Sequence, residues 1–284
     1  MTRTADLHIH TCLSDGADTP QVVVELAIQK ELSAIAITDH DMVDGIEPAV
    51  EAARGTSLEV IAGVELSTEW HGSDIHILGY CFDLHHPVLK ERLAMFCNTR
   101  LSRIHQIVKR LNEMGKMIRV EDVLALTGSD AVGRPHVAQV LLAKGYVNTL
   151  NEAFDKYIGE GRPGYVPKFK QSPFEAINLI REAGGVAVMA HPMETRRDEL
   201  IASFVEAGLG GLEVCYPNTS STVIGFYEGL ADKYGLIKTG GSDAHGRYRS
   251  YSPIGIMRVD YSVVEQLKKA SGKECDTRHM TQDT

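Results

Sequence analysis

No apolar stretch in the 284 residues approaches the ~20 needed to cross a bilayer, so nothing in the chain reads as a membrane-spanning helix. Cys12, Cys81, Cys97, Cys215 and Cys275 form no Cys-x-x-Cys pair, and their odd number and scatter fit a reduced, cytoplasmic compartment. No block of five or six basic residues occurs, and the formal net charge is −9. That argues against a broad cationic surface for long duplex nucleic acid, but leaves room for a small phosphorylated ligand or the end of a short oligonucleotide. There is no Gly-x-Ser-x-Gly elbow, no Gly-Lys-Ser/Thr loop and no cysteine with a recognisable catalytic partner. Nothing in the sequence therefore indicates a covalent intermediate on a serine or cysteine. Met1–Asp6 enters the first motif at once, so no signal peptide is expected.

Histidine beside carboxylate is what the chain does contain. Six of its twelve histidines lie among acids at or near the ends of short apolar runs. The segments are Asp6-Leu7-His8-Ile9-His10 with Asp15 after it, Thr38-Asp39-His40, Gly63-Val64-Glu65, His76, Ala190-His191-Pro192 and Ser242-Asp243-Ala244-His245. On a strand, two-residue spacing aims His8 and His10 at one face. Imidazole with carboxylate is the ligand set of zinc, manganese or iron. Taken singly, each segment has an ordinary reading: Asp15 before Gly16 as a turn residue, Asp39 as a loop acid or cap, His191 as a turn histidine. Together they place many ionisable groups at converging strand ends, which needs a metal to neutralise them.

Apolar runs alternate with helical patterns, which predicts a parallel α/β sheet; closed into a barrel, it would gather the polar groups at the C-terminal strand ends. Predicted strands are Ala34–Ile37, Leu58–Val64, Ile75–Tyr80, Val186–Ala190, Leu212–Val214 and Leu236–Thr239, with Ile254–Val259 near the end. Thr19-Pro20 before Gln21–Gln29 reads as a capped helix start. The alternation breaks between residues 85 and 165. There Leu101, Ile104, Ile107, Val108, Leu111 and Met114 keep helical spacing up to Gly115, and Val120–Thr127, Pro135–Lys144 and Leu150–Ile158 also read as helices. This predicts an α/β body of residues 1–84 and 166–284 carrying a helical insertion, 85–165.

Within that insertion, Gly133-Arg134-Pro135-His136 opens a predicted helix, where backbone N–H groups and a guanidinium suit a phosphate. An arginine on a surface helix is its bland alternative. Gly164–Lys170 interleaves Lys168 and Lys170 with aromatics, a weaker phosphate-and-base pattern that for Lys170 reads better as an ordinary basic loop. Arg196, Arg197 and Arg247 lie near the histidine motifs. Phe169, Tyr216 and Tyr248 suit either stacking on a base or packing.

The histidine and acid motifs, in this order, resemble those of the PHP (polymerase and histidinol phosphatase) superfamily, and the match runs from Asp6 to about Val259. The resemblance implies a distorted (β/α)7 barrel with up to three divalent metals, manganese, zinc or iron. His8, His10, Glu65 and Asp243 would hold one; Glu65 would bridge to a second with His76 and His191; Asp15, His40 and His245 would hold a third. Asp6 and Asp39 would orient neighbouring imidazoles. The insertion resembles that of the nucleoside 3′,5′-bisphosphate phosphatases and 5′-to-3′ oligoribonucleases, in which it caps the substrate. Arg134, His136 and Lys168 would then bind substrate, with Arg134 gripping a phosphate and His136 binding phosphate or assisting proton transfer. The implied function is phosphate-ester hydrolysis by a metal-bridging hydroxide, on the 3′-phosphate of a nucleoside 3′,5′-bisphosphate or the 5′ end of a short RNA. The rivals are a phosphatase for histidinol phosphate or another small phosphomonoester, and a non-catalytic metal-binding module.

Overall fold

The computed structural model describes residues 2–126, 132–167, 169, 171–249 and 251–272. The chain opens with β1 (Thr4–Ile9), α1 (Pro20–Gln29), β2 (Ala34–Ile37), α2 (Ile46–Ala53), β3 (Glu59–Trp70) and β4 (Ser73–Tyr80). Helices α3 (Pro87–Glu113), α4 (Val120–Leu124), α5 (Arg134–Ala143) and α6 (Leu150–Ala153) follow. Then come α7 (Pro173–Glu182), β5 (Val186–Met189), α8 (Pro192–Thr195), α9 (Ile201–Glu206) and β6 (Gly211–Cys215). The last elements are α10 (Ser221–Tyr234), β7 (Ile237–Gly240), β8 (Val259–Asp260) and α11 (Ser262–Ser271). The chain divides into two compact units, residues 1–91 with 170–284, and residues 92–169.

In the first unit the strands form one sheet in the order β7-β6-β5-β4-β3-β2-β1-β8. β2, Ala-Ile-Ala-Ile, is buried at every position because it is covered on both faces. The sheet curls nearly into a barrel. Past the end of β7, Ala244 bridges to Ile9, with His10 N–H donating to the Ala244 carbonyl at 3.0 Å. Two of the helices between strands start on side-chain caps of this kind: at α1 the Thr19 hydroxyl accepts from Val22 N–H, and at α7 Ser172 and Glu175 form a reciprocal box.

The sheet is mixed rather than wholly parallel. β1–β2–β3 and β5–β6–β7 pair in parallel, but β4 is antiparallel to both β3 and β5, and β8 to β1. The cause is the two-residue turn His71-Gly72, with φ of +49 and +80, which folds β3 directly onto β4. Such a loop joins antiparallel strands and is far too short for a parallel crossover. Likewise only Val259–Asp260 of the expected Ile254–Val259 run is strand. Gly255 turns the chain at φ +75, and its N–H is tied to Asp6 at 2.8 Å.

The second unit has its own core, including Ile104, Ile107, Leu111, Val123, Val137, Leu141 and Ile158. α3 begins at Pro87, upstream of the periodic segment from Leu101, because Leu89, Leu93 and Phe96 already carry helical spacing and are buried. The predicted Leu150–Ile158 helix splits into α6 and a π-helical turn, Phe154–Ile158. Among the described residues, no helix is long and apolar enough to cross a membrane.

Candidate metal centre

β1 carries a register irregularity between Asp6 and Ile9, and Asp6, Leu7, His8, Ile9 and the following His10 are all buried. His40 follows β2 and bridges to Glu65 within β3. His191 follows β5, and Asp243 and His245 follow β7. His76 departs from the pattern of C-terminal strand ends. It lies in the first half of β4, opposite Ser67, because β4 runs against its neighbours. His191 and Asp243 hold φ of +25 and +48, a left-handed backbone that is costly for such residues and is found where a site over-determines it.

All nine expected ligands come together. Glu65 is the hub. Its Oε2 lies 3.1 Å from His10 Nε2, 3.2 Å from His8 Nε2 and 3.4 Å from His40 Nδ1; its Oε1 lies 2.8 Å from His76 Nδ1 and 3.1 Å from His191 Nε2. Asp243 Oδ1 is 3.1 Å from His10 Nε2, and Asp15 Oδ1 is 3.2 Å from His245 Nε2. Three ligand sets result, each with its donor atoms within 4.8 Å of one another: His8, His10, Glu65 and Asp243; His10, Asp15, His40 and His245; and His40, Glu65 and His76. His10, Glu65 and His40 each belong to two sets, so the sets are linked. His191 joins through the Glu65 oxygen it shares with His76.

The electrostatics follow from this packing. Burial favours neutral His10, but Asp243 and Glu65 outweigh it and push the imidazole up to about 10. His8 is likewise raised against burial, by Glu213, Glu65 and Asp243. Burial drives His40 the other way, to about 3. Burial would raise Asp15 and Asp243, yet the surrounding imidazoles hold both well below the usual carboxylate range.

Glu213 and Arg249 escape a reading of the motifs, and Tyr216, suited in the sequence to stacking or packing, hydrogen-bonds a ligand residue. Fully buried Glu213 places Oε1 2.9 Å from His8 Nδ1, and its Oε2 accepts the His191 N–H at 2.8 Å. Tyr216 donates to Asp243 Oδ2 at 2.8 Å, and the Arg249 guanidinium pairs with the same oxygen. An acid in the apolar stretch Leu212-Glu213-Val214 was the signal available for Glu213, because a carboxylate there needs a buried partner. Asp6 and Asp39 correct the expectation that they orient imidazoles. Asp6 accepts from the Ser242 N–H and hydroxyl and from Gly255 N–H, and Asp39 from the Thr11 N–H and hydroxyl and the Ser14 hydroxyl. Both acids therefore tie the ligand-bearing loops together. Burial lifts Asp6 to about 6 despite those donors.

In the helical unit, Arg134 is the first residue of α5, with its guanidinium 5.7 Å from the Phe154 ring and 5.4 Å from the Tyr165 ring. His136 Nδ1 accepts the Gly133 N–H at 3.1 Å, which puts the proton of neutral His136 on Nε2; burial lowers its pKa. The imidazole can therefore donate a hydrogen bond outward, rather than act as a base there. Lys168 lies outside the described residues.

The donor set fits divalent metal. With its Nδ1 proton on Glu213, His8 turns an Nε2 lone pair toward the cluster, the usual arrangement of a metal-bound imidazole. His8 Nε2 and His10 Nε2 face each other at 3.1 Å beside two carboxylates, a spacing suited to a shared cation. Among the described residues, the buried atoms His10 Nδ1 and His191 Nδ1 have no hydrogen-bond partner.

A barrel whose interior carries linked His/Asp/Glu sets of this kind is the framework of a metal-dependent hydrolase. The PHP domain family matches residues 6–159, and this chain belongs to it as a hydrolase acting on phosphate esters. The 5′-3′ exoribonuclease Rnm of Escherichia coli (strain K12) is 35% identical over 247 residues, covering 84% of each chain. A 3′,5′-nucleoside bisphosphate phosphatase of Chromobacterium violaceum is 33% identical over 246 residues, covering 84% of this chain and 86% of that one. A crystal structure from Bifidobacterium adolescentis, assigned as a metal-dependent phosphoesterase, matches with a TM-score of 0.80 at 32% identity, over 94% of this chain and 96% of the other.

Proposed function

We propose that this phosphoesterase acts on nucleotides, removing the 3′-phosphate of nucleoside 3′,5′-bisphosphates and releasing nucleotides from the 5′ end of short RNA. The observation that carries the reading is the set of three linked ligand groups around Glu65. The activities named for the Escherichia coli and Chromobacterium violaceum relatives point it to nucleotides. We assign His8, His10, Glu65 and Asp243 to one divalent ion, Glu65, His76 and His191 to a second, and Asp15, His40 and His245 to a third, as manganese, zinc or iron. Such ions, when bound, supply Lewis-acid polarisation of a phosphoryl oxygen and acidify water to a pKa of about 7.

The chain's own groups do the rest. Glu213 keeps the His8 proton on Nδ1, and Tyr216 and Arg249 hold Asp243 by its outer oxygen. Arg134 grips a phosphate, and His136 donates to it through Nε2–H. Lys168 adds a further positive charge for the substrate. Among the described residues Cys12, Cys81, Cys97 and Cys215 are thiols and not disulfides, which supports the cytoplasm as the working compartment.

The test is release of phosphate or nucleotide by metal-reconstituted protein from adenosine 3′,5′-bisphosphate, 5′-phosphorylated short RNA and histidinol phosphate. The reading expects kcat/KM to be highest on the first two. A clear preference for histidinol phosphate would overturn it.

A further inference from the structure

Beside the ligand cluster, within the barrel unit, lies a cleft of about 370 Å3. Asp243 forms the wall between them. Its Oδ1 faces His10 and His8 at 3.1 and 3.5 Å, whereas its Oδ2 receives Tyr216 and Arg249, both of which line the cleft. A molecule in the cleft is therefore in contact with a side chain of the metal centre itself.

Glu194 also lines the cleft, and its other residues offer an aromatic ring, an apolar surface and polar groups. Tyr251, 63% exposed, offers a ring that no other ring stacks on among the described residues, and Met193 adds an apolar surface. A free aromatic face of this type stacks on any nucleobase. Asn218 and Thr219 supply amide and hydroxyl groups for sugar hydroxyls. Arg249 has five N–H donors and engages Asp243 through Nη1, leaving others for a phosphate oxygen. The volume falls within the range of sites for small organic ligands, about 300–1,000 Å3.

We propose that this cleft is the subsite for the nucleoside half of the substrate. Tyr251 stacks on the base, Asn218 and Thr219 meet the ribose, and Arg249 holds an oxygen of the phosphate that reacts at the cluster. The assignment rests on the nucleotide reading above and adds where the nucleoside sits. Every residue named belongs to the barrel unit.

The experiment compares adenosine 3′,5′-bisphosphate with abasic ribose 3,5-bisphosphate in wild type, Tyr251→Ala and Thr219→Trp, all loaded with the same metal and checked for metal content. Loss of stacking should lower kcat/KM on the adenosine substrate roughly tenfold in Tyr251→Ala, mostly through KM, with a smaller effect on the abasic one. Thr219→Trp, which fills the cleft, should lower the adenosine-to-abasic ratio as well. Tyr251 is exposed, so its variant keeps the test sound if Thr219→Trp fails to fold. An unchanged ratio in folded variants, with wild type active on the adenosine bisphosphate, would overturn the cleft assignment alone. A wild type inactive on that substrate would overturn the nucleotide reading, and the cleft assignment with it.

Discussion

Glu65 contacts five imidazoles through its two oxygens, so it is the side chain whose charge the centre can least spare. Glu65→Gln keeps the shape but replaces one oxygen with a donor. It should lower both metal occupancy and turnover, read by elemental analysis of the purified variant alongside kcat; full occupancy with wild-type turnover would remove Glu65 from the centre. Glu213 acts one step further out, by fixing the His8 tautomer. Glu213→Gln should therefore weaken metal binding by roughly 10- to 100-fold in competition with a chelator, whereas a purely structural role would change only the unfolding midpoint. In the helical unit, loss of a charge-assisted bond of ~1.5–3 kcal/mol predicts that Arg134→Ala lowers kcat/KM about ten- to a hundredfold. If Arg134 holds the non-reacting phosphate, hydrolysis of a bisphosphate should suffer far more than that of a small monophosphate. No loss on either substrate would dismiss this phosphate site.

Among the elements, the closure of β7 against β1 sets how the His8 and Asp243 ends meet. Gly241 sits at that junction, where a Cβ would collide with the His8 backbone nitrogen. Gly241→Ala should accordingly destabilise the fold by ~1–3 kcal/mol, seen as a lower urea midpoint, and weaken metal binding through the displaced His8. An unaltered midpoint would mean that the strand ends can part without cost. The start of α1 was legible in the chain because its signal, Thr19-Pro20, is local, and so was the shared face that two-residue spacing gives His8 and His10. The direction of β4 was not, since a strand reads the same whichever way its neighbours run. The turn His71-Gly72 was the available clue. Glu213 was hidden for a related reason. Its partner, His8, is 205 residues away, and only the pairing of distant strands brings the two together.

For the whole molecule, metal and protons compete for the same nitrogens. The folded value of His10 in metal-free protein is raised from 6.5 to about 10. The stabilisation from its ion pairs is therefore complete below pH 6.5 and is lost as pH rises through about 10. Metal binds the neutral imidazole, so its affinity should rise with pH over this window and loading should release protons. The checks are calorimetric titrations in buffers of different ionisation enthalpy, and a metal-induced Tm increase that is larger at pH 8.5 than at pH 6. Proton-independent binding would show that the imidazoles are already neutral. By itself the sequence determined the chemistry on offer: which side chains can hold a metal, that they recur near the ends of apolar runs, and that the body is α/β with helices between its halves. Those properties belong to residue types and short-range periodicity, so they survive without coordinates. Only the tertiary structure decided that Glu65 is the hub, that Glu213, Tyr216 and Arg249 back the ligands, and that Asp6 and Asp39 tie loops instead of turning imidazoles. Each of those facts depends on strand direction, register and barrel closure, which set distances between residues far apart in the chain.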